Sequence, residues 1–109
     1  MIEISSDILR GYTDIMILYI LINGPSYGYE VSKTITEITN EKLIMKETTL
    51  YSAFKRLEKY GYISTFKNPE SEKNRRTYYR ITDSGKKYYD SKVDEWYLTK
   101  EIIENFIRR

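Results

Sequence analysis

The chain has no cysteine and no histidine, two prolines, five glycines and a single tryptophan among its 109 residues. Without cysteine there is no disulfide and no thiolate chemistry; without histidine the commonest metal ligand and the commonest general base are missing. The longest apolar run, residues 15–22, falls far short of the roughly 20 residues that cross a bilayer. The opening Met-Ile-Glu-Ile-Ser-Ser-Asp carries no basic leader, so a soluble, cytoplasmic protein is expected. Ser84-Gly85-Lys86 lacks the upstream glycine spacing of a phosphate-binding loop, and no serine can have a histidine partner. The carboxylates are scattered along helix surfaces, with no metal-binding cluster. A non-enzyme without cofactor or metal follows.

What is present is an uneven distribution of charge. Residues 46–82 hold nine Lys/Arg against four Asp/Glu, whereas residues 1–45 hold three against six and residues 83–109 balance six against six. The overall charge of +2 therefore hides one cationic segment. A local basic surface gains affinity for nucleic acid by displacing counterions from phosphates, and charge alone fits a solvated surface equally well. At this length one domain is expected, small enough that oligomerisation would help it bury apolar surface.

Along the chain, Ser5, Ser6 and Asp7 offer caps ahead of Ile8, Tyr12, Ile15, Tyr19 and Ile22, whose spacing predicts one helix ending at Asn23-Gly24-Pro25. Leu9, Met16 and Ile20 widen its apolar stripe, so it should be buried on more than one side. Ser26 is expected to cap a second helix with Val31, Ile35 and Ile38 on one face. A third helix is expected over residues 47–60, with Leu50, Phe54 and Leu57 inside. Thr48, Thr49, Tyr51, Ser52, Lys55, Arg56 and Lys59 fall on the opposite semicircle, a donor set suited to phosphate oxygens and base edges.

Gly61 should stop that helix. Residues 62–67 and 76–82 read as paired strands around a polar tip at residues 68–74. Thr82 or Asp83 caps a last helix bearing Tyr89, Val93, Trp96, Lys100, Ile103 and Ile107 at heptad spacing, broadened by Ile102 and Phe106. Such a helix is expected to pack on a second copy. The fold class is thus mainly α with a small β-hairpin: a winged helix-turn-helix over residues 1–82 plus a C-terminal dimerisation helix over residues 83–109, in one compact unit. A winged-helix protein-interaction adaptor without sequence-specific DNA binding is the alternative.

Four ordered motifs resemble the PadR family of bacterial transcription regulators. They are Leu9-Arg10-Gly11; Gly24-Pro25-Ser26-Tyr27-Gly28-Tyr29-Glu30; Thr48-Thr49-Leu50-Tyr51 with Lys55-Arg56-Leu57-Glu58; and Arg75-Arg76-Thr77-Tyr78-Tyr79-Arg80-Ile81-Thr82 with Gly85. The single C-terminal helix, with Asp94-Glu95-Trp96, resembles the small subfamily that includes multidrug-binding repressors. The family often carries glycines at the wing tip where this chain has Lys73-Asn74.

The resemblance implies a homodimeric repressor on a pseudo-palindromic operator in double-stranded DNA. Thr49, Tyr51, Ser52 and Lys55 would lie nearest the bases, and Tyr27, Lys46, Arg75 and Arg76 would hold phosphates. It also implies a pocket across the dimer, with Trp96 beside Ile8, Tyr12, Ile15 and Val93 stacking a planar aromatic effector. Trp96 as the largest residue packed in the dimer seam is the competing reading.

Overall fold

The computed structural model describes residues 2–67 and 76–109. Among the described residues, five helices and three strands run in the order α1 (Ser6–Arg10), α2 (Thr13–Ile22), β1 (Ser26–Tyr27), α3 (Gly28–Ile38), α4 (Glu47–Lys59), β2 (Ile63–Lys67), β3 (Thr77–Ile81) and α5 (Asp83–Glu104). The architecture is mostly helical with a small antiparallel sheet, as the order of elements predicts.

The single first helix is instead two. Ser5 caps α1 by accepting from the Ile8 N–H at 3.4 Å, and at Gly11–Tyr12 the chain turns before α2 begins. The Leu9 carbonyl accepts from the Tyr12 N–H at 2.9 Å and from the Thr13 hydroxyl at 2.8 Å, which closes one helix and starts the next. The apolar stripe expected to define this region is also not its innermost face. Ile17 and Leu18 are fully buried with Leu21, whereas Ile8, Tyr19 and Ile22 remain exposed. α2 is apolar nearly all round, so spacing alone could not choose which side meets the core.

Ser26 does not cap α3. It lies in β1, opposite Tyr79, and its buried hydroxyl donates to Glu30 Oε1 at 2.5 Å. Tyr27, in extended conformation, precedes the first turn of α3. The expected hairpin thereby gains a third strand, in the order β1-β3-β2. Within α3, Val31 and Ile35 are buried, but Ile38 at the end of the helix is exposed. The turn into α4 uses two left-handed residues, Asn40 and Glu41 (φ 52° and 65°), steadied by Thr39, whose Oγ1 donates to the Ile35 carbonyl and accepts from the Leu43 N–H.

Leu50, Ala53, Phe54 and Leu57 of α4 bury against Ile17, Leu18 and Leu21 of α2 and Val31 and Ile35 of α3. Gly61 (φ 76°) ends α4 in the left-handed cap that glycine adopts without penalty, and the Tyr62 N–H returns to the Leu57 carbonyl. The inner face of the sheet closes the core: Ile63 is buried and the Tyr79 ring stacks on Phe54 at 4.1 Å. Thr82 caps α5 by accepting from the Gly85 N–H at 3.1 Å. Residues 68–75, which include the expected hairpin tip with Lys73-Asn74, and Arg75, lie outside the described residues.

Candidate nucleic-acid interface

The outward face of α4 is polar because its apolar residues recur at positions 50, 53, 54 and 57 and all turn inward. Lys46 at the N-cap, Thr48, Ser52, Lys55 and Lys59 are exposed, Thr49 is half-buried, and Tyr51 is half exposed. Arg56 is the exception among the residues expected on this face. It reaches back to α2, where Nε donates to Asp14 Oδ2 at 3.2 Å and Nη2 donates to Asp14 Oδ1. The forked pair uses the planar geometry of guanidinium against carboxylate. Its hydrogen bonding to Asp14 holds the Arg56 pKa above the ordinary arginine value, against a smaller opposing effect of burial. Arg56 thus braces α4 against α2, while its side chain stays 38% exposed.

A second cationic group adjoins the helix. Tyr51 lies against the start of α3, so near that a Cβ placed on Gly28 would sit 3.2 Å from its hydroxyl. The next residue back, Tyr27, carries the guanidinium of Arg76 over its ring at 3.9 Å and meets Tyr78 edge-on at 5.3 Å. Tyr51, Gly28, Tyr27 and Arg76 therefore form a continuous path from α4 to the sheet. Arg76 and Tyr27, both expected to hold phosphates, are brought together, whereas Arg75 falls outside the described residues.

On the other side of the molecule α5 packs along α2. Between them lies a groove of about 350 Å³ lined by Ile8, Gly11, Tyr12, Ile15, Lys92, Glu95, Trp96 and Thr99. Four of the five residues expected to hold an effector meet here; Val93 is half-buried but does not line the groove. Lys92 Nζ donates to Glu95 Oε1 at 2.7 Å, and that bond holds the Lys92 pKa above its usual value against the opposing effect of burial.

The expected heptad residues divide, and the last of them, Ile107, lies beyond the end of α5 at Glu104. Tyr89 packs on the core of its own chain and Val93 is half-buried, while Trp96 (36% exposed), Lys100, Ile103 and Ile107 are open. Lys100 Nζ lies 5.9 Å over the Trp96 ring.

A family model for the transcriptional regulator PadR-like family matches residues 17–91, from α2 into α5 and across the whole of the α4 and sheet surface. The chain belongs to that family. A transcriptional regulator from Clostridium thermocellum is 56% identical, with 96% of this chain and 99% of that one covered and a TM-score of 0.87. A PadR family transcription regulator from hypervirulent Clostridium difficile R20291 is 36% identical over 87% of this chain and 97% of its own, with a TM-score of 0.74. An uncharacterized protein of Lysinibacillus sphaericus is 43% identical over 95% of both chains.

As a PadR-like regulator the chain is a DNA-binding protein and not an enzyme. No helix among the described residues is long and apolar enough to cross a membrane. Three contacts of this PadR-like surface escape sequence reasoning: the Arg56–Asp14 brace, the seating of Tyr51 on Gly28, and the seating of Arg80, already part of the basic wing motif, 4.4 Å over Phe66. Only the last leaves a trace in sequence. Alternation along a strand puts Arg76, Tyr78 and Arg80 on one face.

Proposed function

We infer that this PadR-like regulator is a homodimeric repressor released by a small aromatic effector, with residues 1–82 as the winged helix-turn-helix and residues 83–109 as the dimerisation helix. The observation that carries the reading is the path from the polar face of α4 through Tyr51 and Gly28 to Tyr27 and Arg76. Thr49, Tyr51, Ser52 and Lys55 read base edges in the major groove, with Thr48 at its rim. Tyr27, Lys46, Arg75 and Arg76 hold phosphates and set the register without carrying sequence information.

Dimerisation is supported by the C-terminal end of the chain, where Ile102 and Ile103 of α5 and Phe106 and Ile107 just beyond it are exposed. Pairing two such helices covers that surface and sets two copies of α4 roughly 34 Å apart, one duplex turn. The groove beside Trp96 supports a planar aromatic ligand. An effector held there releases DNA only if it prefers a dimer whose α4 helices are wrongly spaced.

Selection of bound sequences from random duplex DNA tests the reading, repeated with planar aromatic compounds present. Enrichment of a two-fold symmetric site, lost when a compound quenches Trp96 fluorescence, is the expected result. Failure to enrich any symmetric site would favour the protein-interaction adaptor.

A further inference from the structure

The outer face of the sheet holds more than Arg76. In the register of β3, Tyr78 lies between Tyr27 of β1 and Phe66 of β2, and Arg80 lies opposite Ser64. Neighbours across the strands share a face, so Tyr27, Tyr78 and Phe66 form one aromatic row turned away from the core. Their ring centroids are 5.3 and 5.6 Å apart. Arg76 leans one way to cover Tyr27 at 3.9 Å, and Arg80 leans the other way to cover Phe66 at 4.4 Å. Each outer strand thus seats a guanidinium, one from Arg80 of the central strand and one from Arg76 just before it.

Among the described residues, neither arginine is paired with a carboxylate. A guanidinium lying on a ring spends its flat face on the contact and keeps its N–H edge for an acceptor. It is also held in place beforehand, so less side-chain entropy is lost when an acceptor arrives. Arg76 immediately precedes β3 and Arg80 lies within it, four residues or about 13 Å of extended chain apart, whereas phosphates on one DNA strand recur about every 3.4 Å of axis. They therefore reach separate phosphates.

We propose that Arg80, seated on Phe66, is a second phosphate-binding residue of this face, and that Phe66 and Tyr27 are positioning residues for the two guanidiniums. The assignment rests on the DNA-binding reading above and extends the contact surface from the Arg76 end of the sheet along β3.

The test uses the full chain and fluorescence anisotropy of a selected duplex and an unrelated duplex across a salt series, with circular dichroism to verify folding. Arg80→Ala, at an exposed position, is expected to weaken both duplexes by the same factor and to flatten the log–log salt slope by about 0.9 per bound copy. Phe66→Leu keeps every charge and therefore the slope, yet weakens binding about two- to fivefold. Phe66→Tyr, which retains the ring, binds like the unmodified chain. In an Arg80→Ala background Phe66→Leu has no further effect on affinity, because the group it positions is gone.

Unchanged affinity and slope in Arg80→Ala would overturn the assignment while leaving the DNA-binding reading intact. Loss confined to the selected duplex would also overturn it, since that is the behaviour of a base contact. An unmodified chain with no salt-dependent affinity for either duplex would remove both the assignment and the reading beneath it.

Discussion

Arg56 of α4 grips Asp14 of α2 through two donors, across 42 residues of sequence, and the Asp14 side chain is left only 13% exposed. The pair joins the helix that bears the expected base-reading residues to the helix that forms one wall of the Trp96 groove. Arg56→Ala would strand a carboxylate with little access to water. The expected cost is about 1–3 kcal/mol of stability, because a buried charged acceptor loses its partner. Urea denaturation of the variant checks this, and Asp14→Asn with Arg56 retained should cost less than Arg56→Ala.

Gly28 and Tyr51 separate recognition from stability. A Cβ at position 28 would press on the far end of the Tyr51 side chain at 3.2 Å, where a phenol can shift by a few tenths of an ångström. Gly28→Ala should therefore leave thermal stability within about 0.5 kcal/mol of the original. Its effect should appear in the sequences selected from random DNA, as relaxed preference at the base step nearest Tyr51. A large drop in melting temperature would contradict this separation.

Gly85 has no such freedom. An added Cβ would meet the Tyr62 carbonyl oxygen at 2.1 Å and Ile81 at 2.8 Å, between a backbone atom and the core. Gly85→Ala should destabilise by about 3 kcal/mol, the upper part of the usual range for overpacking. Calorimetry of the variant gives the comparison, and a loss below about 1 kcal/mol would show that α5 can slide away from β2.

Tyr79 gives the fold an alkaline limit. Burial is the main cause that raises its phenol above the ordinary value, followed by the charges of Tyr51 and Glu58. A folded-state pKa above the unfolded value of about 10 favours the neutral phenol in the fold. The stabilisation is fully present below about pH 10 and is lost as pH rises through the raised value. Tyr79→Phe should flatten that alkaline decline in urea melts. Tyr89, also raised mainly by burial, leaves a residual slope. An equally steep decline in Tyr79→Phe would contradict the assignment.

How much of this was legible beforehand depends on how local each signal was. The arc of Leu50, Phe54 and Leu57 is written in 100° steps, and all three are buried. Thr82 as the cap of α5 and Gly61 as the end of α4 are likewise local signals that hold. Ser26 misleads because the same serine that could cap a helix can also pair in a strand, and its partner Tyr79 lies 53 positions on. The pairing of Arg56 with Asp14 was hidden because angle alone cannot reveal a carboxylate on another helix. In α2 the apolar residues are so many that periodicity left both sides equally eligible, and the tertiary neighbours decided. Four residues that the resemblance assigned to a pocket across the dimer line a groove within one chain, whereas Lys92, Glu95 and Thr99 belong to it only because α5 lies along α2.

The central claim is that α4 reads bases while the sheet grips phosphates, and one competition titration tests it: the ratio of selected to unrelated duplex affinity in Lys55→Ala and Arg76→Ala, measured side by side. Lys55→Ala should lower the ratio, by about 1–3 kcal/mol if its contact is a base edge. Arg76→Ala should weaken both duplexes alike, keep the ratio and flatten the salt slope by about 0.9 per bound copy. A ratio that falls for Arg76→Ala and holds for Lys55→Ala would contradict the account.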